Sequence, residues 1–257
     1  MENENIAELR GVKLVYHEPS RETLAVEGLS LEIKRGEFIS VVGPSGCGKT
    51  SVLKLLTGLM SPTAGSVSVM GEAPSAVRKR IGYMLQRDAL FEWRNIRRNA
   101  ELGLEIRGEL DEASRRKVGE MLEKYGLGDF AGHYPDELSG GMRQKAALIR
   151  TLAPEPELLL LDEPFSALDH QTRLILEDEV YELIRSGGRT AVLVTHDISE
   201  AVAMSDRVAV FTGRPARVRR IVEPGLYGLP GERRADPRFS AVFESIWKEL
   251  RQDERGA

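Results

Sequence analysis

Cysteine is almost missing from this chain: Cys47 is the single one in 257 residues. No internal disulfide can form, and so sparse a use of thiols fits a reducing cytoplasm. Long hydrophobic runs are missing too. The longest unbroken ones, such as Leu158 to Leu161, cover a few residues, whereas about 20 are needed to cross a bilayer, so no span is expected. The opening MENENIAELR has no basic start followed by an apolar stretch, which argues against a secretory signal. Positive charge is not in excess either. Lys and Arg number 36 against 40 Asp and Glu, a formal net charge of -4, which argues against a protein whose main task is coating nucleic acid while leaving room for a local basic patch. Internal repeats, low-complexity tracts and long linkers are absent. What is present is an ordinary folding composition: 41% hydrophobic and 30% charged residues are too apolar and too balanced for disorder. The length suits one large α/β domain, or one with a modest insert, with enough chain to bury a core.

Periodicity places the elements. Alternation in Ala7 to Tyr16 and the β-rich run Glu37 to Val42 predict strands, and the second runs through glycines into a helix, Lys49 to Leu59. Further strands are predicted at Ser66 to Met70, Ile81 to Leu85, Leu158 to Leu161, Thr190 to Thr195 and Arg207 to Phe211. Between Arg94 and Gly132 the pattern turns helical, with Val118, Met121, Leu122 and Tyr125 at spacings of three and four, the apolar face of an amphipathic helix. Met142 to Leu152 reads as a helix. So does Gln171 to Arg185, with Leu176, Val180, Leu183 and Ile184 on one side and a Ser-Gly-Gly stop at 186–188. Pro237 to Arg251 reads as a closing helix after a Gly/Pro-rich turn region.

Two stretches carry phosphate chemistry. GPSGCGKT, Gly43 to Thr50, fits G-x-x-x-x-G-K-[ST] between a strand and a helix. Its glycines let backbone amides converge on phosphate oxygens, and the helix N-terminus adds roughly half a positive charge. Lys49 reaches the β and γ phosphates in such a loop, and Thr50 holds Mg²⁺. Gly43, Pro44, Ser45, Gly46, Cys47 and Gly48, followed by Ser51 in the first helical turn, complete the expected nucleotide contacts. Cys47 reads as a small tolerated residue without a redox role. LLLLDEP, Leu158 to Pro164, is an apolar strand ending in two carboxylates, which belong at the carboxyl edge of a parallel sheet where open α/β sheets bind ligands. Asp162 is expected to act on Mg²⁺ through its water shell, and Glu163 to be the general base for the attacking water. A third stretch, ELSGGMRQ (Glu137 to Gln144), sets Ser139, Gly140 and Gly141 before a helix without any lysine in the turn. It is built like a second anion seat, and Ser139 also reads as the N-cap of its own helix.

With GPSGCGKT, LSGGM and LLLLDEP in that order, the chain resembles the nucleotide-binding subunit of ATP-binding cassette (ABC) transporters from about Ala7 to Phe211. The resemblance implies an α/β P-loop NTPase cassette with a mainly parallel core sheet, an N-terminal antiparallel β part and a helical insert. It implies one ABC ATPase domain over residues 1–257, with a helical subdomain at about residues 94–152. It implies ATP and Mg²⁺ as ligands, and a homodimer in which Ser139, Gly140 and Gly141 close on the ATP held by the other copy. Further roles carry over residue by residue: Tyr16 as the aromatic stacking on adenine, Gln86 as the Q-loop glutamine reaching Mg²⁺ and the water, and His196 as the switch histidine at the γ-phosphate. SALD, Ser166 to Asp169, resembles the D-loop that links the two sites, with Asp169 its acid. The metal set is then Thr50, Gln86 and Asp162.

The stretches LFEWRNIRRNAELGLEIRG, LSGGMRQKAALIRTL, LDHQTR and THDISEAVAMSDRVAV are similar to the importer subgroup for nitrate, sulfonates, taurine and related solutes such as thiamine-pyrimidine precursors. DPRF, Asp236 to Phe239, fits as well, whereas Glu92 stands where that subgroup commonly has proline and GLYGLPGERR, Gly225 to Arg234, departs from its usual tail. The implied partners are permease subunits and an extracytoplasmic solute-binding protein, with no nucleic acid, at the cytoplasmic face of the membrane. Phe91 and Trp93 read either as lining a groove for the permease or as core. No regulatory domain is expected beyond Arg251. The rival readings are a soluble cassette ATPase of DNA repair or translation, which generally carries long coiled coils or tandem cassettes, and a P-loop kinase or GTPase, which has no use for LSGGM.

Overall fold

The apolar alternation and the glycine punctuation of the sequence reappear in a computed structural model that describes residues 5–18, 21–166 and 168–254. The chain divides into two units, Met1–Arg78 with Leu176–Ala257, and Lys79–Ile175. Up to Arg78 run β1 (Asn5–Glu18), β2 (Arg21–Lys34), β3 (Phe38–Val42), α1 (Lys49–Leu56) and β4 (Ala64–Val69). The middle unit holds β5 (Ile81–Met84), α2 (Ile96–Arg107), α3 (Glu112–Lys124), α4 (Gly140–Leu152) and β6 (Leu158–Asp162). Helix α5 (His170–Ser186) follows, then β7 (Thr190–Val194), α6 (Ile198–Met204), β8 (Arg207–Phe211), β9 (Val218–Val222), α7 (Pro230–Ala235) and α8 (Phe239–Glu254).

In the first unit, β1 pairs antiparallel with both β2 and β4, giving a three-stranded sheet in the order β2-β1-β4. Its strands alternate: Leu29, Leu31 and Ile33 of β2 are buried while their neighbours face out, the signature of an antiparallel sheet with one wet face. Strand β3 behaves differently. All five residues of FISVV are buried, because β3 lies parallel between β7 and β8 and is covered on both faces. Strand β9 closes that edge antiparallel to β8. Helix α8 docks on the same region: Ile246 is fully buried with Val42, Ile198, Val202, Val208 and Val210, and Phe239, Val242, Phe243 and Leu250 pack against that cluster.

In the second unit β5 and β6 pair in parallel, and α2 packs on α3 and α4. Local chemistry sets the helix ends. The Asn95 side chain accepts from Arg98 N–H at the start of α2, Gly108 ends it at φ 74°, and Asp111 with Ser114 forms a reciprocal capping box on α3. Val118, Leu122 and Tyr125 are buried as their spacing predicts, and Met121 is partly so.

Four elements were not foreseen. Strand β2 is interrupted in sequence by Glu27-Gly28. Strand β9 reads VRRIV with only Val222 buried, so an edge strand carries little alternation. Helix α6 has seven residues, too few to display a period. Helix α7 lies within the Gly/Pro-rich turn region, started by Pro230 at its first position, a place that proline tolerates. The closing helix begins at Phe239, two residues after its expected Pro237.

Candidate active site

In the first unit, β3 delivers the chain to Gly43, and the loop turns back before α1. Cys47 N–H donates to Pro44 O at 3.3 Å. Gly46 and Gly48 take φ of 71° and 120°, and a Cβ on Gly48 would lie 2.8 Å from the Ala25 carbonyl oxygen. Only glycine serves there. Lys49 is buried and folds under the loop, its Nζ donating to Gly43 O at 2.7 Å and Pro44 O at 3.0 Å. Helix α1 opens on Gly48 without a side-chain cap, so its N-terminal amides are not covered by a residue of their own turn, and the cradle fits a triphosphate. The Cys47 sulfur is buried, and a Cβ on Gly43 would meet it at 3.0 Å, the setting of a packed small residue. Thr50 is exposed beside it. Ser51 is buried, and its hydroxyl lies 2.9 Å from that of Tyr16, which brings the aromatic of β1 to the helix that follows the loop.

His196 stands at the same sheet edge. The parallel register Val41↔Val194 sets the ends of β3 and β7 side by side. The exposed His196 sits in a braced turn: Asp197 N–H donates to Thr195 Oγ1 (3.0 Å), Thr195 Oγ1 donates to Glu200 Oε2 (3.1 Å), and Asp197 Oδ1 accepts from Ser199 and Glu200 N–H at 2.8 and 3.2 Å.

The second unit holds the two strand-end acids. Register Met84↔Leu161 carries Gln86 and Glu163 to equivalent places beyond the ends of β5 and β6, and Gln86 Nε2 donates to Glu163 Oε2 at 3.0 Å. Asp162 is buried, with the Tyr83 hydroxyl 3.5 Å from its Oδ2. Glu163 adopts φ 48°, a left-handed conformation that costs a non-glycine residue about 1 to 3 kcal/mol and is found where the surroundings impose it. They do so here. Glu163 O accepts from Ser166 N–H (3.3 Å) and Ser166 Oγ (3.0 Å), and the buried Gln144 of α4 donates Nε2–H to Pro164 O at 2.7 Å.

The signature residues open α4. Ser139 Oγ accepts from Met142 N–H at 3.3 Å, so it caps its own helix while remaining exposed. A Cβ on Gly140 would make only an ordinary contact with the Arg143 side chain at 3.8 Å, whereas one on Gly141 would press on Leu168 at 3.2 Å. Asp169 is exposed and caps α5 through Thr172 N–H at 3.0 Å. The Thr172 hydroxyl and backbone hold its carboxyl below the usual range. Of the SALD segment, Ala167 lies outside the described residues.

Sequence reasoning missed the residues that tie α4 and α2 to the segment after Gln86. Arg150 donates to Asp88 O (2.6 Å) and Ala89 O (2.7 Å), Arg143 Nε to Asp88 Oδ2 (2.9 Å), and the Asn99 amide bonds Phe91 N–H and O at 2.8 and 3.1 Å. Burial pulls the Arg150 guanidinium below its usual range against the opposing pull of Asp88.

Thr50 belongs to the first unit and Gln86 and Asp162 to the second. Among the described residues no group of three or more His, Cys, Asp or Glu could hold a metal by itself. A Thr hydroxyl, a Gln amide oxygen and an Asp carboxylate are the oxygen donors that Mg²⁺ takes, one or two at a time with waters and phosphates completing its shell.

The comparisons with known proteins agree with this geometry. A family model described as ABC transporter matches residues 26–166. The uncharacterized ABC transporter ATP-binding protein YtlC of Bacillus subtilis is 47% identical over 93% of this chain and 94% of its own length. The taurine import ATP-binding protein TauB of Jannaschia sp. is 35% identical over 93% and 91%. Among solved structures, the ATP-binding cassette MJ0796, a dimer in a post-hydrolysis state bound to ADP and Pi, superposes with a TM-score of 0.78 at 32% identity, covering 86% of this chain and all of that one. This chain, with its P-loop NTPase fold, therefore belongs to the ABC transporter family as an ATP-binding and ATP-hydrolysing cassette.

Proposed function

We propose that this cassette is the motor of an importer for a small solute of the taurine, sulfonate or nitrate kind, and that residues 1–257 act as one catalytic domain. The observation that carries the hydrolytic part is the hydrogen bond from Gln86 to Glu163 at the ends of two parallel strands. Glu163 accepts the proton of the attacking water, and Gln86 orients it. Lys49 and the amides of Gly43–Thr50 hold the β and γ phosphates, with Pro44, Ser45, Cys47 and Ser51 in the wall of that site. Tyr16 stacks on adenine, and His196 contacts the γ-phosphate. When bound, Mg²⁺ neutralises developing charge on the phosphates, and Thr50, Gln86 and Asp162 hold it directly or through water.

Ser139, Gly140 and Gly141 cap the terminal phosphate of a second copy, with Asp169 at the joint between the two copies. The dimeric state of the solved cassette MJ0796 supports this arrangement. The import reading rests on the similarity to taurine import ATP-binding proteins from two organisms. It is supported by an exposed aromatic pair, Phe91 and Trp93, stacked 4.7 Å apart just beyond Gln86. That pair suits a permease loop, and in this reading the assembly works at the cytoplasmic face of the membrane with a solute-binding protein outside. Among the described residues no helix is long and apolar enough to cross a membrane, and this reading assigns the membrane-spanning part to partners.

Affinity purification from detergent-solubilised membranes tests the reading. A hydrophobic permease is expected in the eluate, lost with Trp93→Ala. ATP turnover stimulated by DNA or ribosomes, with no permease recovered, would contradict it.

A further inference from the structure

The departing tail, GLYGLPGERR, ends in two arginines that hold opposite ends of the short helix next to His196. Arg233 is buried at 4% exposure. Its Nη1 donates to Ala203 O and Ser205 O (3.1 and 3.2 Å), its Nε donates to Gly228 O (3.1 Å), and it also donates to the Tyr181 hydroxyl while its Cζ lies 4.8 Å from that ring. Ala203 and Ser205 are at the C-terminal end of α6, where helix carbonyls have no partner within the helix and a cation is favoured. Arg234 works at the other end. It donates to Ser199 Oγ in the first turn at 3.4 Å, and it pairs with Glu177 of α5, whose side chain is 1% exposed.

Seven residues of helix are marginal without such help. His196 sits directly before α6, and both of its neighbours are bonded into that first turn, Thr195 through Glu200 and Asp197 through the amides of Ser199 and Glu200. A shift of α6 therefore moves His196.

We infer that Arg233 and Arg234 are positioning residues for His196, so that hydrolysis depends on the C-terminal segment through helix α6. The inference rests on the reading of His196 as a contact to the γ-phosphate, and the experiment separates the two. Arg234→Gln alone takes the guanidinium from the buried Glu177 carboxylate, so the variant to make is the double Arg234→Gln/Glu177→Gln, with Arg233→Lys as a second, milder probe. Their kcat is expected to fall at least about tenfold, against the roughly hundredfold cost of a full 1 Å misplacement. Their KM for ATP is expected to stay within about twofold.

In a proton–carbon spectrum of the histidine rings, the His196 signal, identified by its loss in His196→Ala, is expected to move in both variants while those of His17, His133 and His170 stay. Wild-type kcat and an unmoved His196 signal, with only a lower melting temperature, would overturn the inference and leave the tail a plain structural anchor. If His196→Ala itself turns over ATP like the wild type, the role of His196 fails first and the tail inference falls with it. If His196→Ala is crippled and the tail variants are not, the tail inference alone fails.

Discussion

The unit containing the phosphate loop and the unit containing the signature helix hold their functional groups by different means. The first relies on backbone. Gly46 and Gly48 stand at positive φ, Lys49 bonds the carbonyls of its own loop, and the loop residues are neighbours in sequence. The second relies on side chains reaching across long stretches of chain. Gln86 and Glu163 are 77 residues apart, Arg143 and Asp88 are 55 apart, and Gln144 holds Pro164 from 20 residues away. A cradle made of backbone is shaped before any ligand arrives, which suits tight and constant binding of a triphosphate. A set of side-chain clamps ties Gln86 to Glu163, and α4 to the turn after Glu163 and to Asp88.

The contrast can be broken at three points. Glu163→Gln removes the base without touching the cradle, so turnover is expected to fall by about 10² to 10⁴ while ATP still binds. Turnover near wild type in a phosphate-release assay would remove Glu163 from that role. In the first unit, Gly48→Ala puts a Cβ at φ 120° against Ala25 O, a strain of about 1 to 3 kcal/mol, and ATP affinity measured by calorimetry is expected to weaken about tenfold. Unchanged affinity would mean that the cradle's shape is not what binds.

In the second unit, Gln144→Leu frees the turn after Glu163 and leaves Pro164 O without its donor. A stability loss of about 1 to 3 kcal/mol is expected in denaturant unfolding. Turnover is expected to drop about tenfold with ATP affinity unaltered. If Gln144→Leu weakened ATP binding as much as turnover, the division of labour between the two units would not hold.

The same contrast explains what could be read from sequence. The strand, loop and helix around Gly43–Thr50 were legible because the bonds that shape the loop, such as those of Lys49 to Gly43 and Pro44, are local, and the buried runs FISVV, LLLLD and TAVLV announced themselves by composition. The acids at the end of β6 followed from the strand. The partnership of Gln86 with Glu163 did not, because it depends on how two strands are registered. Arg143, Arg150 and Asn99 looked like ordinary helix residues, since a polar side chain that bonds a distant carbonyl has the same local pattern as one that faces water. The tail misled most. Glycine and proline in GLYGLPGERR marked turns correctly at Gly225 and Gly228, yet Pro230 begins a helix whose arginines act 28 to 57 residues away.

The central claim is that the cradle of one copy and the signature helix of another enclose the same triphosphate. Light scattering on Glu163→Gln in saturating ATP, with and without Ser139→Arg, tests it most directly. Glu163→Gln is expected to form a dimer that dissociates when ATP is withdrawn, and Glu163→Gln/Ser139→Arg to remain a monomer while binding ATP equally well. A Glu163→Gln monomer at saturating ATP, or a dimer that persists with arginine at position 139, would contradict it.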